Sequence, residues 1–259
     1  MIEPFHIPHE AEVWPASSLT LVAGALLLPF GRLTDMYGGY IIFSAGMAWF
    51  SVWTFIAGFS TDFAMLIVCR AMEGLGCAAF LPAGISILGR TYRPGPRKNL
   101  VFSLYGAAAP LGFFAGILLG GLAQTLLSWR WYFWIGGTVS ALCGIGTFLT
   151  APRDYAQTRK QNVEMDWWGV ATTVPGLTLL IYALTESTQA PQGWASPQIL
   201  VTFIIGLLFL LVAIYVEGWV AKSPLIPAQI FRIKYMKRML ACLFITWGLF
   251  AVFLFYANF

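Results

Sequence analysis

Arg70 and Glu73 stand inside the apolar run LIVCRAMEGLGCAAFLP, Leu66 to Pro82, and are the only charges between about Phe63 and Leu88. That longer stretch exceeds the ~20 residues a membrane-spanning helix needs. A charge near the centre of such a helix costs about 2.5 to 3.5 kcal/mol on insertion scales, so it normally faces a bundle interior or a watery cavity and takes a partner. Three residues apart on a helix, the guanidinium and the carboxylate share one face and reach each other. Two roles fit the pattern: a structural ion pair that locks this helix to a neighbour, or a charge pair in a translocation pathway. In the second role arginine stays charged, and Glu73 is the group that gains and loses a proton.

The elements that must position this pair follow from composition. Of the 259 residues, 59% are hydrophobic and 10% charged, which lies outside the make-up of soluble domains and predicts an all-α integral membrane protein. The four cysteines (Cys69, Cys77, Cys143, Cys242) all fall in apolar runs and read as small packing residues. No phosphate-cradling GxxxxGK[ST] and no GxSxG elbow occurs, and HEAEV at His9 lacks the second histidine of a zinc protease motif. No catalytic group, metal site or cofactor is therefore expected, and an enzyme is the weakest class.

After a polar lead, Met1 to Pro15, eight apolar runs follow, at about 17–30, 40–59, 63–88, 100–127, 131–151, 167–184, 199–220 and 240–259. The first is short and ends at Pro29 and Gly31, so residues of the lead are expected to complete it, and GRLTDMYGGY is read as a turn. Short connections make successive helices antiparallel neighbours. Of the fifteen Lys and Arg, thirteen fall on alternate loops: Arg32; Arg90, Arg93, Arg97 and Lys98; Arg153, Arg159 and Lys160; Lys222, Arg232, Lys234, Lys237 and Arg238. The opposite loops hold only Arg130. The positive-inside rule makes the basic side cytoplasmic, so the net charge of +4 reports topology and not nucleic-acid binding. The aromatics Trp129, Trp131, Tyr132, Trp134, Trp167 and Trp168 flank run ends as interfacial belts.

Gly112, Gly116 and Gly120 recur every four residues beside Pro110, and Gly74 with Gly76 follows the charge pair. Such stripes let helices approach closely, either as ordinary packing or, with a proline that frees a backbone carbonyl, where a bundle bends around a cavity.

These segments resemble a family. GRLTDMYGGY is similar to the cytoplasmic signature between the second and third spans of major facilitator transporters, and CRAMEGLGCAA to their fourth-span signature. GAAAPLGFFAGILLGG followed by SWRWYFWI resembles the fifth-span signature of fungal drug:proton antiporters with fourteen spans; PRKNLVFSLYGAAAPLGFF and MDWWGV resemble the aminotriazole-resistance type of that group. The resemblance implies an incomplete major facilitator fold: residues 1–152 as family spans two to six of the N-terminal half, 153–220 as a cytoplasmic link and two extra linker spans, and 221–259 as a loop and the first span of the C-terminal half. It implies that Arg70, with Glu73 where the family has glutamine, serves proton coupling. Gly31, Arg32, Asp35 and Gly38 become a gating signature whose usual basic residues are Met36, Gly39 and Tyr40 here. Pro110, Gly112 and Gly116 become a fifth-span bend, with Phe113 and Phe114 in place of its closing glycines.

The implied function is a proton-coupled secondary transporter of the plasma membrane, or less readily the vacuolar membrane, exporting small drugs or toxic solutes. Its partners would be a small-molecule substrate, protons and membrane lipid. The alternatives are a uniporter or importer of a small polar solute and a truncated, non-transporting family member. Both ends of the chain fall on the outer side, and on that geometry the chain is expected to be a fragment, inactive without the missing spans of its own full-length form.

Overall fold

A computed structural model describes residues 13–153, 163–190, 192–221, 223–226 and 228–257. Among the described residues eight long helices follow one another: α1 (Trp14–Tyr37), α2 (Gly39–Ala57), α3 (Phe63–Thr91), α4 (Pro96–Leu126), α5 (Trp129–Thr150), α6 (Trp167–Glu186), α7 (Pro197–Tyr215) and α8 (Met236–Ala257). Short helical turns lie at Gly193–Ala195, Val216–Val220 (a π-turn closing α7) and Ala228–Arg232. Seven helices among the described residues, α1 to α7, are long and apolar enough to cross a membrane, α7 counted with its π-turn. The eighth expected run forms α8. The boundaries obey local chemistry: prolines occupy the first turns of α1, α4 and α7, where a missing N–H costs nothing.

One boundary departs from expectation. α1 does not end at Pro29 and Gly31 but runs two further turns to Tyr37, so most of GRLTDMYGGY is helix. Pro29 forfeits a hydrogen bond and crowds the preceding turn, but its fixed φ suits a helix, and Thr34 in the next turn donates its hydroxyl to the Phe30 carbonyl at 2.8 Å. The stop is Gly38, at φ 98° and ψ 147°, a conformation that favours glycine; its N–H reaches the Thr34 carbonyl and the chain re-enters helix at Gly39.

α3 is the centre of the bundle, packed between α1 and α2, with α5 on the far side of α2. The close approaches are made by glycine. A β-carbon at Gly76 would lie 2.9 Å from the Phe50 backbone nitrogen on α2, and one at Gly74 would lie 2.5 Å from the Leu19 carbonyl on α1. Gly46 on α2 packs reciprocally against Gly76 and Ala79. The two glycines of α3 thus serve different neighbours. Ser51 on α2 and Ser140 on α5 share a buried hydrogen bond of 2.9 Å, and Tyr40 on α2 donates its hydroxyl to the Phe148 carbonyl on α5 at 2.8 Å, so two polar contacts pin this second interface.

α6 pairs with α7 and also lies along α1. Trp14 at the start of α1 donates Nε1 to the Glu186 carboxylate at 3.2 Å; near the other end of α1, Arg32 donates to the carbonyls of Glu164 and Ser223 at 3.0 and 3.2 Å. The sidedness of the loops follows. Arg32, Asp35, Arg90 and Lys98 gather at one end of the bundle, and Arg130, bonded to the Ser60 carbonyl, stands at the other.

Candidate functional site

α3 has 29 residues and is about 43 Å long at 1.5 Å per residue. Arg70 lies about 10 Å and Glu73 about 15 Å along it from Phe63, so the carboxylate sits near half the ~30 Å depth of a bilayer core. The structure brings the two together: Arg70 Nη1 is hydrogen-bonded to Glu73 Oε2 in an i,i+3 ion pair. Arg70 keeps 21% of its side-chain surface exposed whereas Glu73 has none.

The rest of the shell comes from other helices. Arg70 donates Nε to the Pro15 carbonyl at 3.1 Å and lies over the Phe133 ring of α5 at 5.8 Å. That carbonyl belongs to the first turn of α1, where a carbonyl accepts an intrahelical N–H with one lone pair and has the second free for Arg70. On the other side, Thr54 of α2 neighbours Glu73 but donates its hydroxyl to the Phe50 carbonyl at 2.7 Å. Glu73 Oε1 is left buried without a hydrogen-bond partner. A buried acceptor of this kind normally finds one, and an orphan marks a place where a proton, a water or a moving donor is accommodated at another moment. Pro15, Thr54 and Phe133 carry no sequence signal that ties them to Arg70; only the packing of α1, α2 and α5 on α3 brings them there.

The gating residues divide. Gly31 faces Pro82 of α3, a β-carbon there standing 3.8 Å from the Pro82 ring. Asp35 pairs with Arg90 across α1 and α3 at 3.6 Å, the carboxylate exposed and the guanidinium partly buried, so the pair is worth about 1 kcal/mol or less. Arg32 turns away from Asp35 and engages the link before α6 and the one after α7. Pro110 lies inside α4, which remains helical through it. Gly112 and Gly116 face open space among the described residues, while Gly120 meets Tyr132 at 3.4 Å. A crevice of about 360 Å³ between α2 and α5 is lined by Met47, Val52, Phe55, Ala141 and Phe148 among others; neither Arg70 nor Glu73 lines it.

Seven helices long and apolar enough to cross a membrane, the central one carrying a buried glutamate paired with an arginine, define the class as a polytopic membrane protein. The chain belongs to the Major Facilitator Superfamily, whose model matches residues 1–259. It is 35% identical over 250 residues to the low affinity ammonium transporter of Saccharomyces cerevisiae, covering 94% of this chain and 48% of that protein. It is 36% identical over 251 residues to the efflux pump terJ of Aspergillus terreus, covering 94% and 47%. The aminotriazole resistance protein of S. cerevisiae matches at 35% over 250 residues, covering 94% and 45%. The chain thus spans about half the length of these curated relatives.

Proposed function

We propose that this chain forms most of the N-terminal half of a proton-coupled secondary transporter, together with its linker spans, and that the transporter exports small drugs or toxic solutes. The observation that carries the reading is Glu73: a carboxylate with no exposed surface, bonded to Arg70 at mid-membrane depth, with one oxygen left unpaired. Such a group is costly to keep unless its charge has a use. In the cycle, Arg70 holds the carboxylate while Glu73 is ionised and, when Glu73 takes a proton, releases it and stays on the Pro15 carbonyl and the Phe133 ring that it already touches. Transporters of this architecture rock two halves about a site near the midplane, where a change in one charge favours one orientation over the other. Residues 1–152 would supply spans two to six of the first half, 153–220 the link and two extra spans, and 221–259 the entry to the second half, whose remaining spans complete the cavity. The plasma membrane is the favoured location.

Export is favoured over uptake by the names that the relatives carry, efflux pump and aminotriazole resistance protein. The ammonium transporter supports the second reading, a carrier of a small polar solute. The two separate in one assay: flux of radiolabelled aminotriazole and of methylammonium by a transporter of the relatives' length containing this segment, at several external pH values. Coupled export quickens as the exterior is acidified. Flux that ignores the proton gradient would make the protein a uniporter.

A further inference from the structure

Four cations, Arg232, Lys234, Lys237 and Arg238, fall within seven residues at the entry to α8, and no Asp or Glu occurs anywhere after Glu217. None of the four is paired with a carboxylate among the described residues. The chain enters this segment from the basic end of the bundle, where Arg32 of α1 holds the Ser223 carbonyl. The apolar run that begins at Leu240 leaves it on the other side, so the cluster stands at the edge of the membrane.

Aromatic and aliphatic side chains alternate with the charges, and Phe231, Ile233, Tyr235 and Met239 are all exposed. Tyr235 organises the segment. With φ 70°, in the left-handed region that a bulky residue rarely adopts, it separates the turn at Ala228–Arg232 from α8, and its carbonyl accepts the Met239 N–H at 2.9 Å. Two cations stand over its ring, the Lys234 ammonium at 5.1 Å and the Arg238 guanidinium at 5.9 Å from the centroid. Together with Phe231, Ile233 and Lys237 these three residues line a hollow of about 460 Å³.

Cations held this close repel one another unless an anion sits among them, and exposed Phe and Ile side chains gain by leaving water. The cytoplasmic face of a bilayer meets both needs at once. Its headgroups carry negative charge to set against the cations, and the boundary of its acyl chains takes up apolar side chains. A soluble polyanion would neutralise the charges and leave Phe231 and Ile233 wet.

We propose that residues 230–239 lie in the cytoplasmic interface as a site for an anionic phospholipid, with the headgroup phosphate seated among Lys234, Lys237 and Arg238 and with Phe231 and Ile233 in the acyl boundary. The contact fixes the depth at which α8 enters the bilayer. It is separate from the Arg70–Glu73 pair and holds whatever solute the transporter moves.

The test is photolabelling of a transporter of the relatives' length containing this segment, in phosphatidylcholine nanodiscs doped with phosphatidylglycerol that carries a diazirine near its headgroup. Phosphatidylcholine bearing the same diazirine is the neutral comparison, and labelled peptides are mapped by mass spectrometry. The anionic probe should label residues 230–239 well above the neutral one. Attraction to an anionic surface is worth roughly a fivefold gain in binding for each Lys or Arg, so Lys234→Gln/Lys237→Gln/Arg238→Gln should weaken the site about a hundredfold and bring labelling there to background. The charge-conserving Lys234→Arg/Lys237→Arg/Arg238→Lys should keep it, and Arg93→Gln/Arg97→Gln, in another basic loop, should leave it unchanged. Equal labelling by the two probes, labelling that survives the triple glutamine variant, or its loss in the charge-conserving variant would overturn the proposal. So would displacement of the anionic probe by millimolar inorganic phosphate, which would make this a site for a soluble anion.

Discussion

Replacing Arg70 by alanine is expected to abolish solute transport and to lower the stability of the bundle by about 3 to 5 kcal/mol, the usual loss when one member of a buried ion pair is removed. The loss follows from what remains. Glu73 has no solvent-exposed surface, its Oε1 already lacks a partner, and without Arg70 its second oxygen is stranded as well. The double variant Arg70→Ala/Glu73→Gln separates structure from coupling. With the buried charge gone, resistance to denaturant unfolding in detergent should return most of the way to the parent value, while transport driven by a pH gradient stays absent. Recovery of both would make the pair a structural lock and nothing more.

The second large effect is steric. Gly76→Leu should prevent α3 from seating on α2, because the added side chain begins 2.9 Å from the Phe50 backbone nitrogen, and a backbone atom, unlike a side chain, has no rotamer in which to retreat. Overpacking costs about 1 to 3 kcal/mol in typical cores and more where backbone is the obstacle. The expected outcome is a marked loss of folded protein recovered from membranes. Gly116→Ala is the matching control. Its β-carbon meets nothing within 4 Å among the described residues, and alanine favours helix over glycine by up to about 1 kcal/mol, so recovery of the chain should be undiminished.

The contrast between those two glycines says where sequence reasoning reaches and where it stops. Hydropathy located the spans because a bilayer demands long apolar helices whatever surrounds them, and i,i+3 spacing paired Arg70 with Glu73 because both lie on one helix. Spacing alone also marked Gly112, Gly116 and Gly120 as a stripe, but a stripe does not name its neighbour. Gly74 and Gly76, two residues apart, turned out to face α1 and α2 respectively. The same limit hid the Pro15 carbonyl, Thr54 and Phe133 around the ion pair. The misplaced end of α1 has a local cause. Pro29 reads as a stop because an interior proline loses a hydrogen bond and crowds the preceding turn, yet its φ is helical and the backbone does not break until Gly38 supplies a positive φ.

The central claim is that Glu73 carries the coupled proton, and the most direct measurement is proton movement itself. Proteoliposomes containing a transporter of the relatives' length with this segment, loaded with a pH-sensitive dye, are given an outward gradient of a transported solute with no initial pH difference. The parent should drive protons in the opposite sense to the solute, and Glu73→Gln should move solute down its gradient without shifting the internal pH. If Glu73→Gln moves protons as the parent does, Glu73 is not the coupling group and the buried pair is structural.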